Sequence, residues 1–397
     1  MNEFLERRKR LLASIENDSM VILTSGGEIF QSEDNNYDYF TNRNFFYVTN
    51  INQANSFLVL LKNKTEIKEY LFINKFDIKK EIWTGRRLTI LEAQQLSSVN
   101  EIKYTEDLEH FLKTIQCDNV YFDDKCLDNH LLKLKNNYPN HKDIYPLFAS
   151  LRLIKSESEI NDIKHAIKIT SYGFDRIISL LKNNVRNEYQ IYTGFNYEVL
   201  SRGARELGFA SIIASGENAC CMHYPTPYAD FTDNDLILCD VGAAYNHYCS
   251  DVTRTFPVSG KFNDFQRKIY QIVLNCNKEV IKAIKPGISL QELQKLAKDL
   301  LAGGCISEGI ISDKKDIDKY YMHCVSHPLG LDCHDVGGRE FKLEAGMVIT
   351  VEPGLYIKEK HIGVRIEDDV LVTKDGYEVL SKDIKKEINE IEELFRR

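Results

Sequence analysis

Two strand–turn–strand segments each carry an acidic residue on both arms, and this pattern restricts the fold more than any other feature. The segments are LILCDVGAAYNHYCSDVTRTF, with Asp240 and Asp251, and MVITVEPGLYIKEKHIGVRIEDDVLV, with Glu352 and Glu367. In both, apolar residues before the first acid predict a buried strand. Buried carboxylates must be neutralised by shared protons, by arginine or by a metal ion, so the fold must bring a partner to all four.

Counting along the segments predicts how the acids pair. Asp240 and Asp251 are 11 positions apart, and a two-residue loop midway between them would place them directly opposite each other. Glu352 and Glu367, 15 positions apart, come opposite each other by the same count. Like charges at opposite positions destabilise a sheet, and a metal is the economical partner for four carboxylates.

Four histidines lie close to these segments in the sequence. His223 occurs in ENACCMHYP, and His323, His327 and His334 occur in YMHCVSHPLGLDCHDVGG. His323 and His327 have the spacing of a helical zinc pair, but Pro328 disfavours a helical conformation at the residue before it. We therefore expect a site built on this segment without a helical histidine pair.

Four carboxylates and one imidazole form an oxygen-rich donor set, which suits Mn²⁺, Co²⁺ or Fe²⁺ more than a closed structural zinc site, and two ions fit it better than one. A thiolate zinc site is the alternative, but the spacing of the neighbouring cysteines favours buried thiols. These cysteines are Cys220, Cys221, Cys239, Cys249, Cys324 and Cys333.

Two further acids follow Glu367. Asp368 or Asp369, taken singly, is expected to be a solvated surface group.

Composition excludes several classes of function. The chain has 397 residues and a formal net charge of −8, without a basic stripe, which argues against nucleic-acid binding. It has no apolar run long enough to span a membrane, and its first residues predict an amphipathic helix in place of a signal peptide. Ten cysteines without a CxxC pair indicate free thiols. These features predict a cytoplasmic protein.

The pattern of apolar and charged residues changes near residues 148–156. Before this point, apolar strands such as Met20–Thr24 alternate with charged helices, which predicts an α/β domain over residues 1–150. Ser156 and Glu159 then form a capping-box pattern that opens a long amphipathic helix. A second domain is expected over 151–397, with helices near 185–206, 264–283 and 289–301.

The acid-bearing segments, together with SHPLGLDCHDVGG, resemble the metallopeptidases of the pita-bread fold, which comprise methionine aminopeptidases, prolidases and aminopeptidase P, with creatinase as a relative. The resemblance implies an N-terminal creatinase-like α/β domain followed by a pita-bread catalytic domain. It implies that Asp240 binds one divalent ion, that Asp251 and Glu367 bridge two, and that His327 and Glu352 complete the second site. Mn²⁺ is the expected metal, with Co²⁺, Fe²⁺ or Zn²⁺ as alternatives.

The same resemblance implies roles beyond the ligands. His223 and His334 correspond to histidines that bind substrate and reaction intermediate, and His323 corresponds to a residue lining the pocket for a prolyl ring. Arg365 corresponds to the arginine beside the bridging glutamate. Glu352, which can take a proton from a bridging water, is the expected general base.

The N-terminal half resembles aminopeptidase P in particular, through EIWTGRRLTILEAQQL and SEDNNYDYFTNRNFFYVTNI. In that branch, residues corresponding to Trp83 and Asp34 approach the active site of a neighbouring subunit, which implies a homodimer or homotetramer. From composition alone, Trp83 is equally a core residue or an interface anchor. In the loop after His223, Pro225-Thr226-Pro227 departs from the usual pattern, and so does Asn44, where an acid is common.

The expected reaction is that of an Xaa-Pro aminopeptidase, in which a hydroxide bridging two metal ions attacks the bond before proline. The substrates would be peptides with proline at the second position. Prolidase, which performs the same chemistry on dipeptides, is the alternative. A non-catalytic binding protein of the same fold is a more distant one, because such members lose ligands and all five positions are retained here.

Overall fold

The computed structural model describes residues 2–396 and shows a mixed α/β chain. It divides into two compact units, of which the first ends at Leu151 and the second begins at Arg152. The division lies inside the window 148–156. None of the helices in residues 2–396 combines the length and the apolar character needed to cross a membrane.

The first unit contains a six-stranded mixed sheet. In chain order its elements are α1 (Glu3–Ala13), β1 (Ser19–Thr24), β2 (Phe30–Ser32), β3 (Asn35–Asn36), α2 (Arg43–Thr49), β4 (Phe57–Lys62), β5 (Ile67–Ile73), α3 (Ile78–Thr84), α4 (Ile90–Ser97), β6 (Glu101–Tyr104), α5 (Leu108–Lys113), β7 (Asn119–Phe122), α6 (Asn129–Lys135) and β8 (Lys142–Asp143), and α7 (Tyr145–Leu153) follows. The strand order of the sheet is β6-β5-β4-β1-β7-β8.

The apolar runs of the first unit form the strands that their sequences predict. β1 is buried at every position because it lies inside the sheet, antiparallel to β4 and parallel to β7. Strands covered on both faces read as continuous apolar runs, as β1 does. The expected N-terminal amphipathic helix is α1, which buries Leu11 and Leu12.

The second unit packs long helices around antiparallel strands. Its elements are α8 (Glu157–Lys182), α9 (Glu188–Ser201), β9 (Glu206–Leu207), β10 (Ile212–Ser215), β11 (Leu236–Val241), β12 (Ala243–Tyr245), β13 (Tyr248–Cys249), β14 (Val252–Pro257), α10 (Asp264–Ala283), α11 (Leu290–Ser307), β15 (Val348–Val351), β16 (Gly354–Ile357), β17 (Ile362–Arg365), β18 (Asp368–Val372), β19 (Tyr377–Val379) and α12 (Ile388–Arg396). Short 3₁₀ helices cover Thr105–Asp107, Gly216–Cys220, Lys314–Lys319 and Lys358–Lys360.

Local sequence signals set the ends of the helices. The capping box that opens α8 is confirmed, because the Ser156 hydroxyl accepts from the Glu159 amide and the Glu159 carboxylate accepts from the Ser156 amide. The helix expected near 185–206 is shorter. It ends at Ser201 because Gly203, with φ of 100°, takes a left-handed conformation that continues no α-helix.

The first acid-bearing hairpin differs from the predicted register by two residues. Its turn lies at Asn246-His247, both of which have positive φ, and Tyr245 pairs with Tyr248 across it. Positive φ at both central residues defines the type I′ turn that matches strand twist. Asp240 consequently pairs with Thr253, so the prediction that it lies directly opposite Asp251 is wrong.

The second acid-bearing hairpin has the predicted register. Val351 pairs with Asp368 on one side of the acids, and Gly354 pairs with Arg365 on the other. The count between these pairs places Glu352 opposite Glu367. Both hairpins therefore present their acids toward one region, although only the second does so through opposite positions.

Candidate metal centre and active site

A cleft of about 960 Å³ in the second unit brings the predicted ligands and histidines together. The two hairpins meet at this cleft, where the Glu367 amide donates to the Thr253 carbonyl (3.1 Å). The predicted site residues that line the cleft are His223, Asp240, Asp251, His323, His327, His334, Glu352, Arg365 and Glu367.

Three side chains form the centre of the cluster. Asp251, His327 and Glu367 are buried or nearly so, and each offers a ligand atom within 4.8 Å of the others. Nε2 of His327 lies 3.4 Å from Oδ2 of Asp251 and 3.6 Å from Oε1 of Glu352. His327 does not lie on a helix, which confirms the expectation that it forms no helical pair with His323.

Asp240 supplies an observation that tests whether the cluster suits a cation. Its Oδ2 accepts from Nη2 of Arg365 (2.6 Å), whereas its Oδ1 is buried and has no hydrogen-bond partner within residues 2–396. An unpaired buried carboxylate oxygen is costly, and a divalent cation would satisfy it. The donor set of oxygens with one imidazole nitrogen therefore fits divalent metal binding.

Without a cation, the negative charges of the clustered carboxylates repel one another. Burial raises the pKa of Asp240 to about 6 and that of Glu352 to about 7. Burial, with the charges of Asp251 and Glu352, raises the pKa of Glu367 well above its usual value. Carboxylates this close cannot all be ionised unless positive charge is supplied.

The imidazole of His327 relieves part of this repulsion. Burial alone would lower its pKa, but the hydrogen bond with Asp251 and the charge of Glu352 raise it to about 9. The same hydrogen bond lowers the pKa of Asp251 although burial opposes this. A divalent ion would replace that proton, because a histidine ligates metal in its neutral form.

Arg365 holds one side of the site through hydrogen bonds that sequence counting did not find. Its Nε donates to Oγ1 of Thr253 (3.2 Å), and that hydroxyl donates to Oε2 of Glu367 (2.6 Å). Its Nη1 donates to the Tyr356 hydroxyl (2.8 Å). The correct hairpin register would have revealed Thr253, since this residue pairs with Asp240.

His323 is held neutral beside these residues. Burial, followed by the charge of Arg365, lowers its pKa to about 3. Nδ1 lies 2.8 Å from the Cys324 carbonyl and Nε2 lies 2.7 Å from the Tyr356 hydroxyl. The tautomer protonated on Nδ1 satisfies both contacts, because the tyrosine can then donate to Nε2.

The other two histidines lie at the exposed side of the cleft. The rings of His223 and His334 are 6.4 Å apart, and that of His334 is 4.3 Å from the ring of His327. Burial and the positive charge of His327 lower the pKa of His334, which keeps a neutral imidazole facing the cleft.

Comparison with known proteins identifies the group to which this cleft belongs. Residues 161–374 match Metallopeptidase family M24, and residues 4–121 match the N-terminal domain of aminopeptidase P. The chain belongs to metallopeptidase family M24. Its fold class, an N-terminal creatinase-like α/β domain followed by a pita-bread catalytic domain, is confirmed by the same matches.

Full-length relatives of this M24 chain extend the match. The Xaa-Pro aminopeptidase of Haemophilus influenzae is 36% identical, over 99% of this chain and 97% of that protein. The Xaa-Pro aminopeptidase of Escherichia coli is 34% identical over the same shares. The structure of E. coli aminopeptidase P with the inhibitor Pro-Leu has a TM-score of 0.92 at 33% identity and covers 99% of this chain and 98% of that one.

Two aspartates of this M24 site are not the surface groups that the sequence predicted. Asp368 and Asp369 are fully buried. Asp368 is paired with Arg254 (2.8 Å) and Lys386 (2.6 Å), and Oδ2 of Asp369 accepts from the Asp251 amide (3.1 Å). Asp369 lies two residues after Glu367, a spacing that puts both on one face of a strand and is the signal that sequence analysis overlooked.

Buried carboxylates also anchor the two histidine loops. Asp335, next to His334, is paired with Arg152 (2.5 Å) and Lys155 (3.1 Å). Glu188 is fully buried at the start of α9 and accepts hydrogen bonds near both ends of the loop that carries His223. Sequence analysis missed both carboxylates, because their partners are remote in sequence.

The remaining predicted site residues lie in the first unit. Trp83 is 87% exposed, so its interpretation as a core residue is wrong, while the interface interpretation stays a prediction. Asp34 is also exposed. All ten cysteines are free thiols. One of them, Cys333, donates to Oδ2 of Asp251 (2.9 Å), whereas the metal-like cluster found within residues 2–396 contains no cysteine.

Proposed function

We propose that this protein is an Xaa-Pro aminopeptidase that uses divalent metal ions to release an N-terminal residue preceding proline. The convergence of three buried carboxylates, the partly buried Glu352 and one imidazole at a single cleft carries the proposal. The chain-long similarity to two bacterial Xaa-Pro aminopeptidases supports the same activity.

Two ions are proposed for this donor set. Asp240, Asp251 and Glu367 would hold one ion, and Asp251, Glu367, His327 and Glu352 would hold the other. Such ions acidify a water molecule toward hydroxide and polarise the peptide carbonyl. Mn²⁺ is the proposed metal because carboxylate ligands outnumber imidazole; Co²⁺, Fe²⁺ and Zn²⁺ are the alternatives.

Residues of this chain would move the proton and hold the substrate. Glu352, which lies 3.6 Å from His327 at the centre of the cluster, would take a proton from the attacking water and pass it to the prolyl nitrogen. The neutral imidazole of His334 would donate to the oxygen that becomes negative. The free α-amine would sit near Asp240 and the ion that it holds, which would select the N-terminus.

The substrate bond before proline is a tertiary amide, and its cleavage needs a pocket that recognises the prolyl ring. The bond before proline has no N–H and a fixed φ, so peptidases that grip an extended backbone bind it poorly. His323, kept neutral by burial and held by Tyr356, offers an uncharged wall for the prolyl ring. His223, which also lines the cleft, is proposed to contact the same peptide.

The proposal extends to assembly and location. The exposure of Trp83, among several exposed apolar residues on its segment, supports a homodimer or homotetramer in which Trp83 and Asp34 approach a neighbouring subunit. The free cysteines and the absence of a membrane-crossing helix in the described residues are consistent with the proposed cytoplasmic location.

Prolidase is the second candidate, and peptide length distinguishes the two. The similarity over nearly the whole chain to two bacterial Xaa-Pro aminopeptidases favours longer substrates. Hydrolysis of Ala-Pro-Ala-Ala and of Ala-Pro by the metal-loaded protein should be compared. We expect faster cleavage of the tetrapeptide, and cleavage of the dipeptide alone would contradict the proposal.

A further inference from the structure

Three tyrosines form an aromatic cluster on the wall of the cleft that holds the ligands. Tyr189, Tyr192 and Tyr228 all line it, and we call them the tyrosine cluster. Tyr189 and Tyr192 are nearly parallel, with ring centroids 5.8 Å apart and an angle of 12°. Tyr228 lies 5.1 Å from Tyr189 at an angle of 49°. The proposed metal, proline and oxyanion sites use none of these rings.

The cluster is both exposed and held in place. Tyr189 is 44% exposed and Tyr228 is 65% exposed, so a ligand can reach both residues. The Tyr228 backbone is fixed because its carbonyl accepts from Asn187 (3.2 Å), whose side chain also caps α9. The adjacent Ala229 exchanges two hydrogen bonds with Glu188 (3.0 and 3.1 Å).

Such rigidity matters for binding. Tyrosine offers a large apolar surface with few rotatable bonds, so a tyrosine on a fixed backbone loses little conformational entropy when a ligand covers it. Ring-to-ring contacts of this kind favour flat or cyclic apolar side chains. The cluster therefore suits an aromatic or prolyl side chain better than a charged one.

We infer that the tyrosine cluster is a subsite for the part of the peptide that follows the scissile proline, and that it selects an aromatic or prolyl side chain there. This inference rests on the proposed function: the cluster is continuous with the cleft, and the proposed sites for the α-amine, the scissile carbonyl and the prolyl ring use none of its rings, so we assign it to the segment after the proline. The cluster is thus a specificity determinant and leaves the hydrolytic chemistry unchanged.

The test compares peptides that differ only after the proline. For the metal-loaded protein, kcat/KM should be measured with Ala-Pro-Ala-Ala, Ala-Pro-Phe-Ala, Ala-Pro-Ala-Phe and Ala-Pro-Pro-Ala. We expect at least one ring-bearing peptide to exceed the all-alanine peptide by roughly 2- to 12-fold, the factor that aromatic contact energies give.

Two variants assign that preference to the cluster. In Tyr228→Ala and Tyr189→Ala the ratio of kcat/KM for the ring-bearing peptide to kcat/KM for Ala-Pro-Ala-Ala should fall toward 1. Tyr197→Ala is the matched control, because Tyr197 lies on the same helix and is 70% exposed but does not line the cleft. It should retain the preference.

The results distinguish failure of the proposed subsite from failure of the proposed function. If the wild type cleaves every Ala-Pro peptide at the same rate, or if Tyr197→Ala removes the preference as well, the subsite is refuted while the proposed function stands. An equal loss on all peptides in Tyr228→Ala and Tyr189→Ala also refutes it. If no Ala-Pro peptide is cleaved, the proposed function fails and the subsite fails with it.

Discussion

Asp335 is a buried carboxylate whose replacement should lower the stability of the second unit considerably. Its carboxylate is 1% exposed and pairs with Arg152, which is 3% exposed, and with Lys155, which is 1% exposed. In Asp335→Asn, two cations remain buried without their main partner. Breaking a buried pair in this way costs about 3–5 kcal/mol.

Asp332 offers a control on the same cation. Its carboxylate also pairs with Arg152 (2.7 Å), but it is 43% exposed, so water screens the pair. Asp332→Asn should therefore cost no more than about 1 kcal/mol. The comparison separates the effect of burial from the effect of removing one acid beside the arginine.

Thermal unfolding monitored by circular dichroism measures both variants. For a unit of this size, roughly 2–4 °C of Tm accompany each kcal/mol, so Asp335→Asn should lower Tm by about 6–20 °C and Asp332→Asn by less than about 4 °C. Equal shifts for the two variants, or a shift below about 3 °C for Asp335→Asn, would refute the reasoning.

The stability that the Asp335 carboxylate contributes should depend on pH. Burial opposes ionisation of Asp335, but the charges of Arg152 and Lys155 lower its pKa below the usual value. A lowered folded-state pKa contributes stability above the unfolded pKa, and this contribution is lost as pH falls through the folded one. The difference in stability between wild type and Asp335→Asn should therefore narrow below about pH 4.

Three further variants test the remaining roles. His334→Ala should keep its metal content while kcat falls by roughly 10²–10³, because an oxyanion donor is lost; loss of metal would place His334 among the ligands instead. Glu188→Gln should lower kcat/KM for Ala-Pro-Ala-Ala by about 10-fold or more through the His223 loop, whereas Glu198→Gln, at a partly buried acid of the same helix that pairs with Arg202 (2.9 Å), should not. A kcat/KM of Glu188→Gln equal to that of Glu198→Gln would refute this. Trp83→Ala should shift light scattering toward a smaller species, and an unchanged mass would remove Trp83 from the interface.

Sequence reasoning predicted the elements governed by local rules. The apolar run of β1 and the capping box of α8 follow from nearest-neighbour physics, and both are confirmed. The second hairpin has the predicted register because its strand pairing is centred midway between Glu352 and Glu367, where the count places it. The five ligand-type residues also converge, since the two hairpins present their acids to one cleft.

Features that depend on turn conformation or on contacts between residues remote in sequence could not be predicted from local rules. The first hairpin was misplaced because counting cannot tell which two residues take positive φ, and the turn lies one residue later, at Asn246-His247. The burial of Asp368 depends on Arg254 and Lys386, which only the folded chain brings together. The anchoring role of Glu188 likewise depends on partners 27 and 41 positions away.

Hydrolysis of Ala-Pro-Ala-Ala measured together with metal content tests the central claim most directly. The purified protein, the chelator-treated protein and the Mn²⁺-reloaded protein should be compared with Glu367→Gln. We predict about two equivalents of divalent metal in the active wild type, loss of activity on chelation, recovery on reloading, and a variant that neither binds the full complement nor cleaves. Full activity in the metal-free protein would contradict the account.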